Sequence, residues 1–174
     1  PENPRQALFI RPGGIGDAAL LAPAIKAFKK RFPDCTVDIL AEKRNAGVFD
    51  FCPEVTRVFC YDRSSCWLNI CSSQYDVVID TEQWHRLSLL FGRIFGGSCL
   101  IGFNTNDRAR LLSCAIDYDL NRYEVFSFLS LLAPWEVESV LEPGRAFLNL
   151  PEHGRGRVQS LLADFPEGDF IALC

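Results

Sequence analysis

The stretch from Leu8 to Ile25, LFIRPGGIGDAALLAPAI, limits what this chain can fold into more than any other. Leu8, Phe9 and Ile10 form a short apolar run of the kind buried in a parallel sheet. Gly13, Gly14 and Gly16 follow closely, and they let the backbone turn sharply and leave room for another group to approach. Beyond Gly16 the apolar spacing becomes helical, with Leu21, Ile25, Phe28 and Phe32 on one stripe. Strand, glycine turn and helix in this order open a parallel α/β unit. They place one carboxylate, Asp17, at the mouth of the turn. Ligands of open α/β sheets sit at the carboxyl ends of the strands, so this turn is the first candidate for a site.

The alternation continues down the chain. Further strands are expected at Thr36–Ala41, Arg57–Asp62, Asp76–Asp80 and Cys99–Phe103, with Leu112–Tyr118 another candidate. Helical patterns cover about Asn45–Phe51, Ser64–Cys71, His85–Phe95 and Tyr123–Leu132, and Gly96-Gly97 stops the third of these. Pro23 lies in the first helix, where it either kinks it or opens its main body at the favoured first position. Strands alternating with helices imply a doubly wound, Rossmann-like parallel sheet covered on both faces, with the first strand central. Residues 1–145 read as that domain. Val140 to Arg145 has linker character. Glu152–Phe165 and the apolar Phe170–Cys174 read as the first helix and strand of a second α/β unit. Without a downstream layer, that last strand is expected to pair with its own sheet or with another copy of the chain.

Composition narrows the function. The chain has 174 residues, 48% of them apolar, enough to bury a core. A net charge of -4 argues against non-specific nucleic-acid binding. No apolar run reaches the roughly 18 residues of a membrane span. The start, PENPRQ, has neither Met nor a signal-type apolar core and reads as a processed end. The eight cysteines show no C-x-x-C spacing and only two His accompany them, so no metal site is expected. Several of the cysteines lie in apolar runs and read as reduced core thiols of a cytoplasmic protein.

The glycine turn admits more than one chemistry. Gly14-x-Gly16-x-x-Ala19 satisfies a loose dinucleotide fingerprint, and Glu42 follows the second strand, where an acid can hold a ribose hydroxyl. That is the reading as a stand-alone NAD(P)-binding domain or reductase. Asp17 stands inside the fingerprint, where it would repel a pyrophosphate. A second possibility is that Asp17 only charges the start of a helix. Glu82, His85 and Arg86 follow the fourth strand at the same sheet edge, either as acceptor-binding groups or as a solvated helix start. From Gln83 to Ile116 there are four arginines, including Arg108 and Arg110, against one acid, Asp107. Such a patch suits an anionic ligand or a solvated loop.

Ile10-Arg11-Pro12-Gly13-Gly14-Ile15-Gly16-Asp17, with its apolar helix and a Pro six residues after the Asp, resembles the opening of the family 9 glycosyltransferases, the lipopolysaccharide heptosyltransferases. Arg31-Phe32-Pro33-Asp34, Tyr75-Asp76-Val77-Val78-Ile79-Asp80, Thr81-Glu82-Gln83-Trp84-His85-Arg86-Leu87-Ser88 and Gly102-Phe103 extend the likeness over nearly all of residues 7–174. The resemblance implies the N-terminal, acceptor-side half of a GT-B enzyme. It implies inverting, metal-independent transfer of a heptose-like sugar from a nucleotide sugar such as ADP-heptose, with no cofactor. Asp17 aligns with the family's catalytic base. Gly13, Gly14, Gly16, Glu82, His85, Arg86, Arg108 and Arg110 become acceptor-side candidates for an anionic glycolipid at the inner face of the cytoplasmic membrane. Because donor contacts would come from the other half, residues 1–174 alone are expected not to catalyse transfer.

Overall fold

The structure, a computed structural model, describes residues 1–62, 70, 73–95, 99–137, 141 and 146–163. Six parallel strands make one sheet: β1 (Gln6–Arg11), β2 (Thr36–Ala41), β3 (Arg57–Cys60), β4 (Val77–Asp80), β5 (Leu100–Phe103) and β6 (Cys114–Ile116). Their order is β3-β2-β1-β4-β5-β6, so the expected doubly wound sheet with an interior first strand is found. The chain winds outward from β1 in one direction and from β4 in the other. The β1–β4 seam is therefore the topological switch point, where such sheets hold ligands.

Alternation along the strands feeds two cores. Ala7 and Phe9 of β1 face one side with Val37, Ile39, Val77 and Ile79. On that side lie helix α1 (Ile15–Arg31), helix α3 (Glu124–Ser130) and a 3-10 turn at Ala46–Phe51. Leu21, Ile25, Phe28 and Phe32 all lie in that core, as the stripe requires. Leu8, Ile10, Leu40, Val78 and Leu100 face the other side with Leu89 and Phe95 of helix α2 (Leu87–Phe95). Helix α1 runs through Pro23, so the proline does not open a separate helix.

Most expected elements appear with trimmed ends. The candidate strand at Leu112–Tyr118 shortens to β6, and the polar loop after β5 contains a 3-10 turn at Arg108–Leu111. Helix α4 (Glu152–Leu162) is present, with Val158 and Leu161 of its apolar face exposed. Phe147 and Leu148 pack against the first core, and the Asn149 N–H donates to the Phe51 carbonyl at 2.8 Å. The helix expected at 64–71, the Gly96-Gly97 stop, most of the 140–145 linker and the 170–174 strand lie outside the described residues.

One charge sits in the middle of the sheet. Asp38 of β2 is fully buried and accepts from Arg57 of the adjacent strand (Nη2–Oδ2 2.6 Å) and from Tyr75 (2.9 Å). A buried carboxylate is tolerable only when paired and hydrogen-bonded in this way.

Candidate functional site

The site is built where β1 and β4 end side by side. β1 closes on Arg11, whose guanidinium is 2% exposed. Arg11 donates to the carbonyls of Pro12 (2.6 Å) and Thr81 (3.0 Å), and its plane lies over the Phe128 ring at 5.5 Å. The Thr81 hydroxyl donates to the Ile10 carbonyl at 2.8 Å, which ties the two strand ends together. The Arg11 Nη2 is 3.5 Å from Asp17 Oδ2 and 3.9 Å from Glu82 Oε2. One buried cation thus joins the carboxylates that follow the two strands, and the Asp17 side chain remains 46% exposed.

The glycines play unequal parts. Gly13 has φ +99°, a conformation that suits glycine, and a Cβ there would lie 3.1 Å from Arg11 Nη2. The Gly14 carbonyl accepts the first helical bond, from Ala18 (3.2 Å), and a Cβ on Gly14 would stand 3.9 Å from Asp17 Oδ2. A Cβ on Gly16 would meet open space, so Gly16 keeps the surface low beside Asp17 rather than fitting a tight contact.

Glu42 is already committed. Its carboxylate accepts from the Gly13 N–H (3.3 Å) and the Tyr61 hydroxyl (2.5 Å) and pairs with Arg44. Burial alone would raise its pKa, but the bonds from Tyr61, Arg44 and Gly13 outweigh it and hold the carboxyl below its ordinary value. In the dinucleotide reading Glu42 should hold a ribose hydroxyl; here its carboxylate is taken up by Gly13, Tyr61 and Arg44.

The acceptor-side candidates divide in the same way. Glu82 is buried, and its Oε1 accepts the N–H groups of Gln83 (3.1 Å), Trp84 (3.0 Å) and His85 (3.3 Å). That oxygen shapes the loop, and the other, Oε2, faces Arg11 at 3.9 Å. Arg108 is fully buried. It pairs with Asp80 (2.5 Å), which is itself fully buried, and donates to the Glu82 carbonyl and toward Ser88 Oγ (3.4 Å). All the contacts of this acceptor-side candidate are with buried groups of the protein. Burial pushes the Asp80 carboxyl up to about 6, and Arg108, the Glu82 N–H and the Ser88 hydroxyl pull back against it. Arg86 stays exposed and donates to the Asn106 carbonyl at 2.9 Å, and His85 and Arg110 are exposed.

Beside the glycine turn opens a cleft of about 190 Å³, lined by Ile10, Pro12, Glu42, Tyr61, His85, Leu87, Ser88 and Phe91. Pro12 and Glu42 connect it to the turn that carries Asp17. Among the described residues no group of three or more His, Cys, Asp or Glu is arranged to hold a metal ion.

By sequence, no family model and no curated protein matches the chain. By structure, it is similar to a glycosyl transferase family 9 protein from Veillonella parvula, with TM-score 0.74 and 12% identity over 91% of this chain and 49% of that one. The chain has the fold of these glycosyltransferases. It is similar also to the E. coli heptosyltransferase WaaC solved with ADP (TM-score 0.71, 17% identity, 91% and 63% of the two chains). A third match is E. coli ADP-heptose lps heptosyltransferase II (TM-score 0.72, 17% identity, 91% and 50%). The chain spans about half the length of the first of these structures.

Two groups of the site escaped sequence reasoning. Arg11 carries no role in the motif by sequence alone, although a cation ending a buried strand just before a glycine turn is itself a signal. Asn45 is buried and donates to the Arg11 carbonyl (3.0 Å) while accepting from the Glu42 N–H (3.0 Å). Nothing in its local pattern distinguishes it from a turn residue.

Proposed function

We propose that the protein serves inverting glycosyl transfer, moving a heptose-like sugar from a nucleotide sugar to an anionic acceptor of the lipopolysaccharide-core type, with Asp17 as general base. The observation that carries this reading is the Asp17 carboxylate. It is half exposed at the sheet's carboxyl edge, held through one oxygen by the buried Arg11, beside glycines that leave the approach open. Inverting transfer needs such a group. The base takes the acceptor hydroxyl proton while that oxygen attacks the anomeric carbon, and the bond to the nucleotide diphosphate breaks on the opposite face. A nearby carboxylate also favours an oxocarbenium-like centre, as in glycoside hydrolysis. Arg11 fixes where the carboxylate sits, which is the orientation part of the rate. His85, Arg86 and Arg110, all exposed, are assigned to anionic groups of the acceptor, and the cleft beside the glycine turn to its sugar. Donor binding is assigned, within this proposal, to a second domain outside residues 1–174; the chain covers 49% of the first matched structure.

The test is transfer from ADP-heptose to a Kdo-phosphate acceptor by the full-length protein and its Asp17→Asn variant. Turnover of the variant is expected to fall by roughly 10²–10⁴, the usual worth of a general base, with the donor Kd from calorimetry unchanged. An Asn variant that turns over at the native rate removes Asp17 as base.

A further inference from the structure

Trp84 is a large apolar side chain at the surface, and its backbone is tied down on both sides. It follows β4, and it is 49% exposed. A single exposed apolar residue is ordinary, and what sets this one apart is how it is held. The Trp84 N–H donates to Glu82 Oε1 at 3.0 Å, and the Trp84 carbonyl accepts from Asn106 Nδ2 at 3.1 Å. Asn106 and Asp107 are consecutive left-handed residues (φ 48° and 58°), and they bend the loop after β5 back to that carbonyl. The neighbouring Gln83 is fixed too. Its carbonyl accepts from the Thr105 hydroxyl, and its side-chain amide donates to Glu124 Oε1. The Tyr118 hydroxyl donates to the other Glu124 oxygen at 2.8 Å. The Tyr118 ring meets the indole edge to face, with centroids 6.3 Å apart and planes at 83°. Such a contact leaves at least one face of the indole clear of Tyr118.

The indole is also close to the candidate base. Glu82 holds the Trp84 N–H through one oxygen and faces Arg11 through the other at 3.9 Å, and Arg11 reaches Asp17 at 3.5 Å. Burial and the Glu124 carboxylate raise the Tyr118 hydroxyl to about 12, with Asp17 adding to the rise and Arg11 opposing it. Tyr118 therefore stands in the field of the Arg11–Asp17 pair. Glu42 and Tyr61 of the cleft follow β2 and β3, whereas Trp84 and Tyr118 follow β4 and β6. In the sheet order β1, with the turn that carries Asp17, lies between these two groups. We propose that the Trp84 indole is a stacking platform for a carbohydrate ring, a subsite on the far side of Asp17 from the cleft. A pyranose presents a flat patch of C–H groups on one face, and an indole covers such a patch without needing charge. Fixing the platform in advance lowers the ordering cost of binding. The subsite rests on the reading of the protein as a sugar transferase, and it makes the acceptor a saccharide that extends beyond the ring in the cleft.

The experiment is fluorine NMR of the full-length protein labelled with fluorotryptophan and titrated with a Kdo disaccharide, without donor. The Trp84 line is assigned by its loss in Trp84→Phe. That line is expected to shift as the disaccharide saturates the protein, with the Kd that calorimetry gives. Trp84→Ala should weaken the Kd by about tenfold, and Trp84→Phe, which keeps a flat ring, by less than about threefold. In the transfer assay Trp84→Ala should raise the acceptor KM by the same factor and leave kcat within about twofold. The indole is half exposed, so both variants should melt like the native protein, and the line shift is read on the native fold in any case. A Trp84 line that stays in place while the disaccharide binds would overturn the platform. So would an Ala variant that binds as tightly as native, or a native protein that does not bind the disaccharide. A still Trp84 line with transfer lost in Asp17→Asn sinks the platform and leaves the transferase reading standing. A shifting line with no transfer does the reverse.

Discussion

Arg11 and Arg108 are both arginines buried at the carboxyl edge, and they do different things. Arg11 reaches a half-exposed carboxylate and so touches the surface where a ligand would sit. Arg108 reaches only buried partners, Asp80, Ser88 and the Glu82 carbonyl, and its Nε has no partner among the described residues. Taking two charges out of water is costly, and their attraction offsets that cost only while both are present. Replacing Arg108 by Ala should therefore destabilise the fold by about 3–5 kcal/mol, because Asp80 is left unpaired. Replacing Arg108 by Met and Asp80 by Leu together should cost much less. Urea midpoints of the single and double variants decide it, and a single variant as stable as the native protein would mean that the buried pair does not help to hold the fold.

The glycine turn joins β1 to α1, and its geometry depends on one backbone angle. At φ +99° a side chain on Gly13 is strained whatever the space, and the added Cβ would also press on Arg11 Nη2. Holding an L-residue in such a conformation costs about 1–3 kcal/mol. Gly13→Ala should lower stability by that amount and displace the Arg11 guanidinium from Asp17, whereas Gly16→Ala should leave stability within about 0.5 kcal/mol or raise it. Thermal unfolding of the two variants side by side is the measurement. Equal losses at both positions would contradict the unequal roles assigned to the two glycines. Helix α2 shows the opposite use of glycine. A Cβ on Gly92 would sit 2.7 Å from Leu100 Cδ1, so that glycine lets the helix approach β5 closely.

Among the described residues Cys35, Cys52, Cys60 and Tyr75 are buried, whereas Tyr123 is exposed. Burial pushes the Cys35 thiol up to about 11 and Cys52 up to about 12, from an ordinary value of 9.0. Tyr61 and Tyr75 are raised by burial and by their carboxylate partners, and Tyr118 is raised to about 12. Above about pH 9 the unfolded chain loses thiol protons that the folded chain keeps, so the folded state binds more protons and its stability falls as pH rises. Below that pH both states keep these protons, so these groups add no pH dependence. The urea midpoint should be flat near neutrality and decline steadily from about pH 9 to pH 11. A midpoint that stays constant to pH 11 would mean the thiols and phenols are not held protonated inside. Among the described residues no helix is long and apolar enough to cross a membrane.

The sequence by itself determined the layers. Short continuous apolar runs such as Val77–Ile79, separated by helical stripes, leave few arrangements other than a wound parallel sheet, because each face must be buried against another element. It also located Asp17 at a strand end, since a glycine turn between strand and helix has no other place to go. Only the tertiary structure decided which charges face solvent. Arg108 and Arg110 are two residues apart in one loop, and the register of a 3-10 turn buries the first against Asp80 and leaves the second outside. Asp38 looks like the polar member of an alternating strand, yet it is fully buried because Arg57 and Tyr75 reach it from elsewhere in the sheet. Arg11, Asp17 and Glu82 meet only because β1 and β4, nearly 70 residues apart in the chain, are paired at the switch point. Local spacing carries periodicity and turn chemistry, but a pairing between distant strands is set by how the whole sheet buries its apolar faces.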